Sequence, residues 1–261
     1  FPQTFPIFQE AHDFFVNTKK QTATQHLFTN KQLRTLLVPI MVEQLLSSLM
    51  GTADTMMVSN VGSAAISAVS LVDAINILVI QALSALAAGG AILCSQYLGS
   101  QNLKKAKCSA EQVLFVMLVL SCSLSLLCLI FRFPLLRLIF GTVDTDVMAN
   151  SQIYFFFTLL SFPFIGLYDA GASILRAQNN TKGPMTISIL SNFLNIGGNA
   201  ILIFVFGMGV AGAAISTLVS RIFCAIVVIW QLRNPAEQIY VRNYFSIRPD
   251  WSLIKRVLFI G

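Results

Sequence analysis

Asp54 lies four residues before the end of a stretch, Thr35 to Val58, that is otherwise nearly all apolar or small, and Glu43 lies eleven residues earlier. A carboxylate set in hydrocarbon is costly unless it is neutralised, paired or hydrated, so an acid in such a stretch points to the reversible binding of protons or cations. Eleven helical residues make about three turns, which puts Glu43 and Asp54 on nearly the same face, about 16 Å apart along the axis. Gln44, Ser48, Gly51 and Thr55 form a neighbouring stripe. Further along, Ser188, Asn192, Asn195 and Asn199 recur at intervals of four, three and four. They share one helical face while Ile, Leu and Phe occupy the others, so that face must look into a bundle or a wet cavity. Another apolar stretch carries Tyr154, Pro163, Tyr168 and Asp169. Pro163 removes a backbone hydrogen bond, which predicts a kink or hinge and a free carbonyl within a few turns of Asp169. Asp73 reads as a hydrated acid near the outer interface. A plainer reading makes these groups simple glue, through interhelical hydrogen bonds worth about 0.6 to 2 kcal/mol each. It serves Ser48, Ser188 and Asn192 at least as well. It serves Asp54 poorly, since an amide would glue helices without the charge.

The elements that must carry these residues are set by composition. Hydrophobic residues make up 56% of the chain and charged residues 11%, with a mean hydropathy of +0.74; an average soluble domain has roughly 25% charged residues. A bilayer core of about 30 Å needs about 20 apolar residues in a helix. Six segments qualify: 35–59, 64–98, 112–131, 147–175, 183–206 and 210–232. The fold class is therefore an all-α integral membrane protein, a six-transmembrane-helix bundle. The second segment is too long for one straight span, so it should protrude into the cytoplasm or bend near Gly89 and Gly90. The fifth and sixth form one apolar run, divided by Gly207, Gly209 and Gly212 into two antiparallel helices.

Basic residues orient the bundle, because Lys and Arg accumulate in cytoplasmic loops. With the N-terminus inside, fourteen of them are cytoplasmic: Lys19, Lys20, Lys31, Arg34, Lys104, Lys105, Lys107, Arg176, Lys182, Arg233, Arg242, Arg248, Lys255 and Arg256. Arg132 and Arg137 fall outside, and Arg221 lies within the sixth span. The expected placement is the plasma (inner) membrane with both ends in the cytoplasm. Residues 1–33 read as a cytoplasmic tail without a cleavable signal, residues 34–232 as the six-helix lobe, and 233–261 as a linker approaching a seventh helix. The net charge of +6 then reflects topology and anionic lipid rather than nucleic acid.

Several chemistries drop out. There is no GxxxxGK[ST] phosphate loop, HExxH or GxSxG, so no enzyme is expected. His12 and His26 both sit in the tail, which argues against a histidine proton relay. Cys94, Cys108, Cys122, Cys128 and Cys224 show no CxxC pair and read as small apolar residues. The Asn179-Asn180-Thr181 sequon falls on the cytoplasmic side, where it would not be glycosylated. Any transport must draw on an ion gradient or another subunit, and no cofactor is expected.

The run Pro39-x-x-x-Glu43-Gln44 through Ala53-Asp54-Thr55, the Gln96-x-x-Gly99 helix end, the run Leu175 to Met185 and Asn192-x-x-Asn195-Ile196 together resemble the multidrug and toxic compound extrusion (MATE) family. The Arg176-to-Met185 run is the most specific of these. The resemblance covers roughly residues 34–261, in the order of the amino-terminal lobe. It implies one lobe of a two-lobe (6+6) transporter, which exports small organic cations in exchange for Na⁺ or H⁺ by alternating access, with the second six-helix lobe missing from this chain. The cation or proton site it implies comprises Asp54, Tyr154, Asp169, Asn195, Asn199 and Thr217, with Glu43, Gln44 and Asn192 as accessories, Pro163 as hinge and Na⁺ as the metal at the same cluster. Archaeal members carry Asn at the Asp169 position and Asp at the Asn199 position. One acid has thus moved between helices, which suggests that Asp54 and Asp169 share a proton or one Na⁺; the alternative is an Asp169 hydrated in a cytoplasmic vestibule.

Two other classes stay open. A lipid-linked oligosaccharide flippase of the same superfamily would need several basic residues in its bore, where the spans offer only Arg221. A non-transporting structural subunit fits the composition but not the single-faced acid and amide stripes.

Overall fold

A computed structural model describes residues 30–141, 143–235, 237–241 and 250–260. Most of the expected tail, with Lys19, Lys20, His12 and His26, lies outside the described residues, as do Arg242 and Arg248. The described chain is helical: α1 Asn30–Val58, α2 Ser63–Gly99, α3 Leu103–Ile130, α4 Arg132–Phe140, α5 Thr145–Ala177, α6 Lys182–Asn199, α7 Gly209–Leu232 and α8 Trp251–Ile260. A π-helical segment, Ala200–Val205, continues α6. Six of these elements are long and apolar enough to cross a membrane, with the π segment completing the fifth. They match the six expected spans to within a few residues, except that α3 starts nine residues earlier, in the lysine-rich run after Asn102. Asn102 caps that start, its side chain accepting from the Lys105 N–H at 3.1 Å.

α2 is one unbroken helix of 37 residues, about 55 Å at 1.5 Å per residue. It is longer than the bilayer core, as a protruding helix would be, and is continuous through Gly89-Gly90. Gly90 serves close packing: a Cβ there would sit 2.5 Å from Val113 Cγ2 of α3. α4 is a short helix of nine residues that was not expected.

α2, α3, α5, α6 and α7 form the packed body, with α5 central. Its apolar core has one half around Leu93, Met117, Ile174 and Leu232, towards the α2–α3 turn, and another around Val69, Phe155, Leu159 and Phe162, towards the α1–α2 turn. Within Pro39–Val58, α1 buries only Pro39, Glu43, Asp54 and Val58. Leu45, Leu49 and Met56 are exposed, so the two acids, more than apolar packing, fasten this helix.

Pro163 lies inside α5. The carbonyl it deprives of an intrahelical partner is that of Leu159, and that oxygen is not free: Ser125 Oγ of α3 donates to it at 2.7 Å. The expectation of a free carbonyl near Asp169 is corrected on this point. One turn on, a Cβ at Gly166 would meet Ser121 Oγ at 2.7 Å, so α3 and α5 touch closely on both sides of the proline.

Candidate functional site

Asp54 is 4% exposed and ends the apolar part of α1. Its Oδ1 accepts from Asn199 Nδ2 and its Oδ2 from Thr217 Oγ1 at 3.2 Å. Thr217 Oγ1 also accepts from Asn195 Nδ2 at 3.2 Å, and Asn199 Nδ2 lies 3.5 Å from Asn195 Oδ1. The i, i+4 spacing of Asn195 and Asn199 puts both amides on the α6 face that meets α7 and α1. Asn199 is fully buried, yet its Oδ1 has no hydrogen-bond partner among the described residues. It is also the last α-helical residue before the π segment, where Phe206 N–H reaches back five residues to Ile201 O at 3.1 Å. A π turn widens the helix locally and is frequent at functional sites; here it follows directly on the buried amide.

Tyr154 belongs to a neighbouring group. Its hydroxyl donates to Asp73 Oδ1 at 3.2 Å, which also accepts from Asn76 Nδ2 at 3.2 Å. Asp73 is therefore half-buried and held by two side chains, not a freely hydrated interfacial acid. Asp54, Asp73, Tyr154, Asn199 and Thr217 all fall in the halves of their helices nearer the α1–α2 turn.

Asp169 stands apart. Its Oδ2 accepts from Ser84 Oγ at 2.7 Å, and no hydrogen bond joins it to Asp54 among the described residues. It lines a cavity of about 130 Å³ together with Asn192 and Arg221. The Asn192 amide donates to the Ser188 carbonyl of its own helix at 2.8 Å. Arg221, from α7, donates to Ser161 Oγ.

Glu43 anchors a third group, in the half nearer the α2–α3 turn. Its Oε1 accepts from Tyr168 OH at 2.8 Å, and its Oε2 takes an ion pair from Arg176 at 2.8 Å. Tyr168 OH also lies 2.9 Å from Ser188 Oγ. Gln44 is exposed and outside all three groups. The Arg176-to-Met185 run thus contributes Arg176 to this clasp. The rest of it holds the chain beyond α7: Gln178 pairs with both backbone groups of Ile239 at 3.1 and 2.7 Å, and Asn180 Nδ2 reaches Glu237 Oε1 at 2.6 Å. Asn179 takes a left-handed conformation at the turn, φ +66°. Sequence reasoning missed the Tyr154–Asp73 bond, the cap on the Leu159 carbonyl and the role of Arg221; the last had a signal, a lone arginine inside a span.

Six membrane-length helices with acids and amides turned inward define a multi-pass membrane protein built like a transporter lobe. The MatE family model matches residues 39–201, and the chain belongs to that family. It is 33% identical over 196 residues to the uncharacterized transporter YisQ of Bacillus subtilis (strain 168), covering 73% of this chain and 42% of that protein. It is 28% identical over 243 residues to the probable multidrug resistance protein NorM of Thermotoga maritima, covering 88% and 50%. Among solved structures, an outward-facing conformation of a multidrug resistance MATE family transporter of the MOP superfamily superposes with a TM-score of 0.78 at 25% identity, over 87% of this chain and 50% of that one. The chain spans about half the length of the relatives it matches.

Proposed function

We propose that this lobe couples the export of small organic cations to the entry of H⁺ or Na⁺, with the coupling ion held at Asp54. The observation that carries the reading is the buried Asn199 Oδ1 without a partner, on the side chain that bonds Asp54. A buried acceptor left unmatched costs about 1–3 kcal/mol, and a cation held beside Asp54 would take it as a ligand. A protonated Asp54 would become a donor, so the Asn199 amide would have to turn end for end, which gives Oδ1 a partner and leaves Nδ2 in the unmatched position. A Na⁺ ion takes Oδ1 as a ligand with Asp54, Asn195 Oδ1 and Thr217 Oγ1, a hard-oxygen set suited to it.

Because α1 docks through Asp54 at one end and Glu43 at the other, a change of charge at Asp54 alters the hold on its outer half. That links ion binding to a helix movement without a separate transmission element. Pro163 and the α6 π segment are further places where the bundle can yield. The basic-residue distribution supports an N-terminus in the cytoplasm of a plasma (inner) membrane, and the second lobe of the family would complete the translocation path.

The test is efflux of a fluorescent organic cation by the full-length protein, wild type and Asp54→Asn, under imposed Na⁺ and H⁺ gradients separately. The expected result is gradient-driven efflux in the wild type and its loss in the variant, with the effective gradient naming the ion. Equal efflux by both proteins refutes coupling at Asp54.

A further inference from the structure

A groove of about 760 Å³ runs between the first half of α6 and the last turns of α7. The two helices lie antiparallel in it, so its two ends differ in chemistry. At the helix ends it is lined by Lys182 and Arg233, both exposed, together with Gln231 and Asn234. Towards mid-span the lining changes to Ile187, Leu190 and Val227. Trp230, 73% exposed, stands where the polar lining gives way to the apolar one. Gly183 lets the Gln231 side chain lie against α6, since a Cβ there would sit 2.5 Å from Gln231 Nε2. Among the described residues, no Asp or Glu lines the groove. Glu237, which Asn180 Nδ2 reaches at 2.6 Å, is outside the lining.

Two cations lining one groove repel each other, and an anion bound between them relieves that repulsion. A guanidinium and an ammonium together suit a phosphate, the first through paired N–H donors and the second as a point charge. A small soluble anion would use the polar end alone and leave the apolar half without a partner. A molecule with a charged head and a hydrocarbon tail matches both. We propose that this groove binds one anionic phospholipid, with its phosphate on Lys182 and Arg233, its glycerol portion beside Gln231 and Asn234, and an acyl chain along Ile187, Leu190 and Val227. Trp230 fits the same placement, because tryptophan in membrane proteins concentrates at headgroup level. The groove opens at the end of the bundle that also carries Lys104, Lys105, Lys107 and Arg176, and basic pockets between helices at such an end hold lipid headgroups.

The inference is independent of coupling at Asp54, and binding alone tests it. The probes are phosphatidylglycerol and phosphatidylcholine with brominated acyl chains, added to the purified full-length protein in micelles. The two share the phosphate, but choline cancels its charge. Quenching of Trp230 is read as the difference between the emission of the protein and that of Trp230→Phe. Half-quenching should need about tenfold less phosphatidylglycerol than phosphatidylcholine, or a larger factor, as two basic groups beside a headgroup provide. Lys182→Gln/Arg233→Gln should erase that ratio by weakening phosphatidylglycerol alone. Lys104→Gln/Lys105→Gln, at the same end of the bundle but outside the groove, should keep it. Equal quenching by both lipids in the wild type, or the same loss in both double variants, overturns the site. No quenching of Trp230 by either lipid means that a second lobe or a second copy covers the groove, and overturns it as well. Glycerol 3-phosphate at the same concentration as the lipid should leave the quenching unchanged; displacement assigns the groove to a free phosphate ester and refutes the lipid.

Discussion

Ser125→Ala should destabilise the bundle by about 1–3 kcal/mol as long as Pro163 is present, and by clearly less once Pro163 is gone. Ser125 is buried and gives its hydroxyl to the Leu159 carbonyl at 2.7 Å, the acceptor that Pro163, four residues on and without an N–H, leaves unmatched. Removing the hydroxyl strands a buried acceptor, and the stated range is the cost of doing so. Pro163→Ala restores an N–H at position 163 and with it the intrahelical bond to Leu159, so the serine becomes redundant. The double-mutant cycle should therefore show a coupling of about 1–2 kcal/mol between residues on different helices. Equilibrium unfolding of the four proteins in mixed micelles reads it directly. Equal costs for Ser125→Ala in both backgrounds would refute the claim that the serine caps the proline-freed carbonyl.

Gly90→Ala places a methyl 2.5 Å from Val113 Cγ2 and should cost about 1–3 kcal/mol by overpacking, with most of it regained in Gly90→Ala/Val113→Ala; thermal stability in detergent checks this. Asp250 caps α8, accepting from the Ser252 and Leu253 N–H groups at 2.9 and 3.4 Å. The Ser252 side chain first, and then these backbone bonds, hold its carboxyl below the usual carboxylate value, so its contribution is present above the unfolded value of about pH 4 and is lost only as pH falls through the lower folded one. Hydrogen exchange in the first turn of α8, corrected for intrinsic rates, should accordingly show the same protection from pH 8 down to 5.

The six spans were legible because hydrocarbon thickness and apolar run length are local quantities, and the glycine cluster at 207–212 does divide α6 with its π segment from α7. The Asn195/Asn199 face was equally legible, since a helical period of 3.6 fixes which side chains share a side. What periodicity does not carry is the partner across the gap. Tyr154 meets Asp73 from 81 residues away and Arg176 meets Glu43 from 133, and no local pattern distinguishes these pairings from Tyr154 with Asp54. Asp73 read as hydrated because its distance from the helix end says nothing of what α5 brings to it. The π segment was hidden for a different reason: Ala200–Val205 is an ordinary apolar sequence, and nothing in its composition marks a wider turn. Gly212 sits where a Cβ would lie 3.1 Å from Leu202.

Ion displacement measured on the purified full-length protein tests the central claim most directly. An organic cation is added to the wild type and to Asp54→Asn, with proton release followed by a pH dye in weak buffer and Na⁺ release by radiotracer. The account predicts that one ion, of one kind, leaves the wild type for each cation bound and that none leaves Asp54→Asn. Equal release from both proteins would contradict it and place the coupling ion elsewhere.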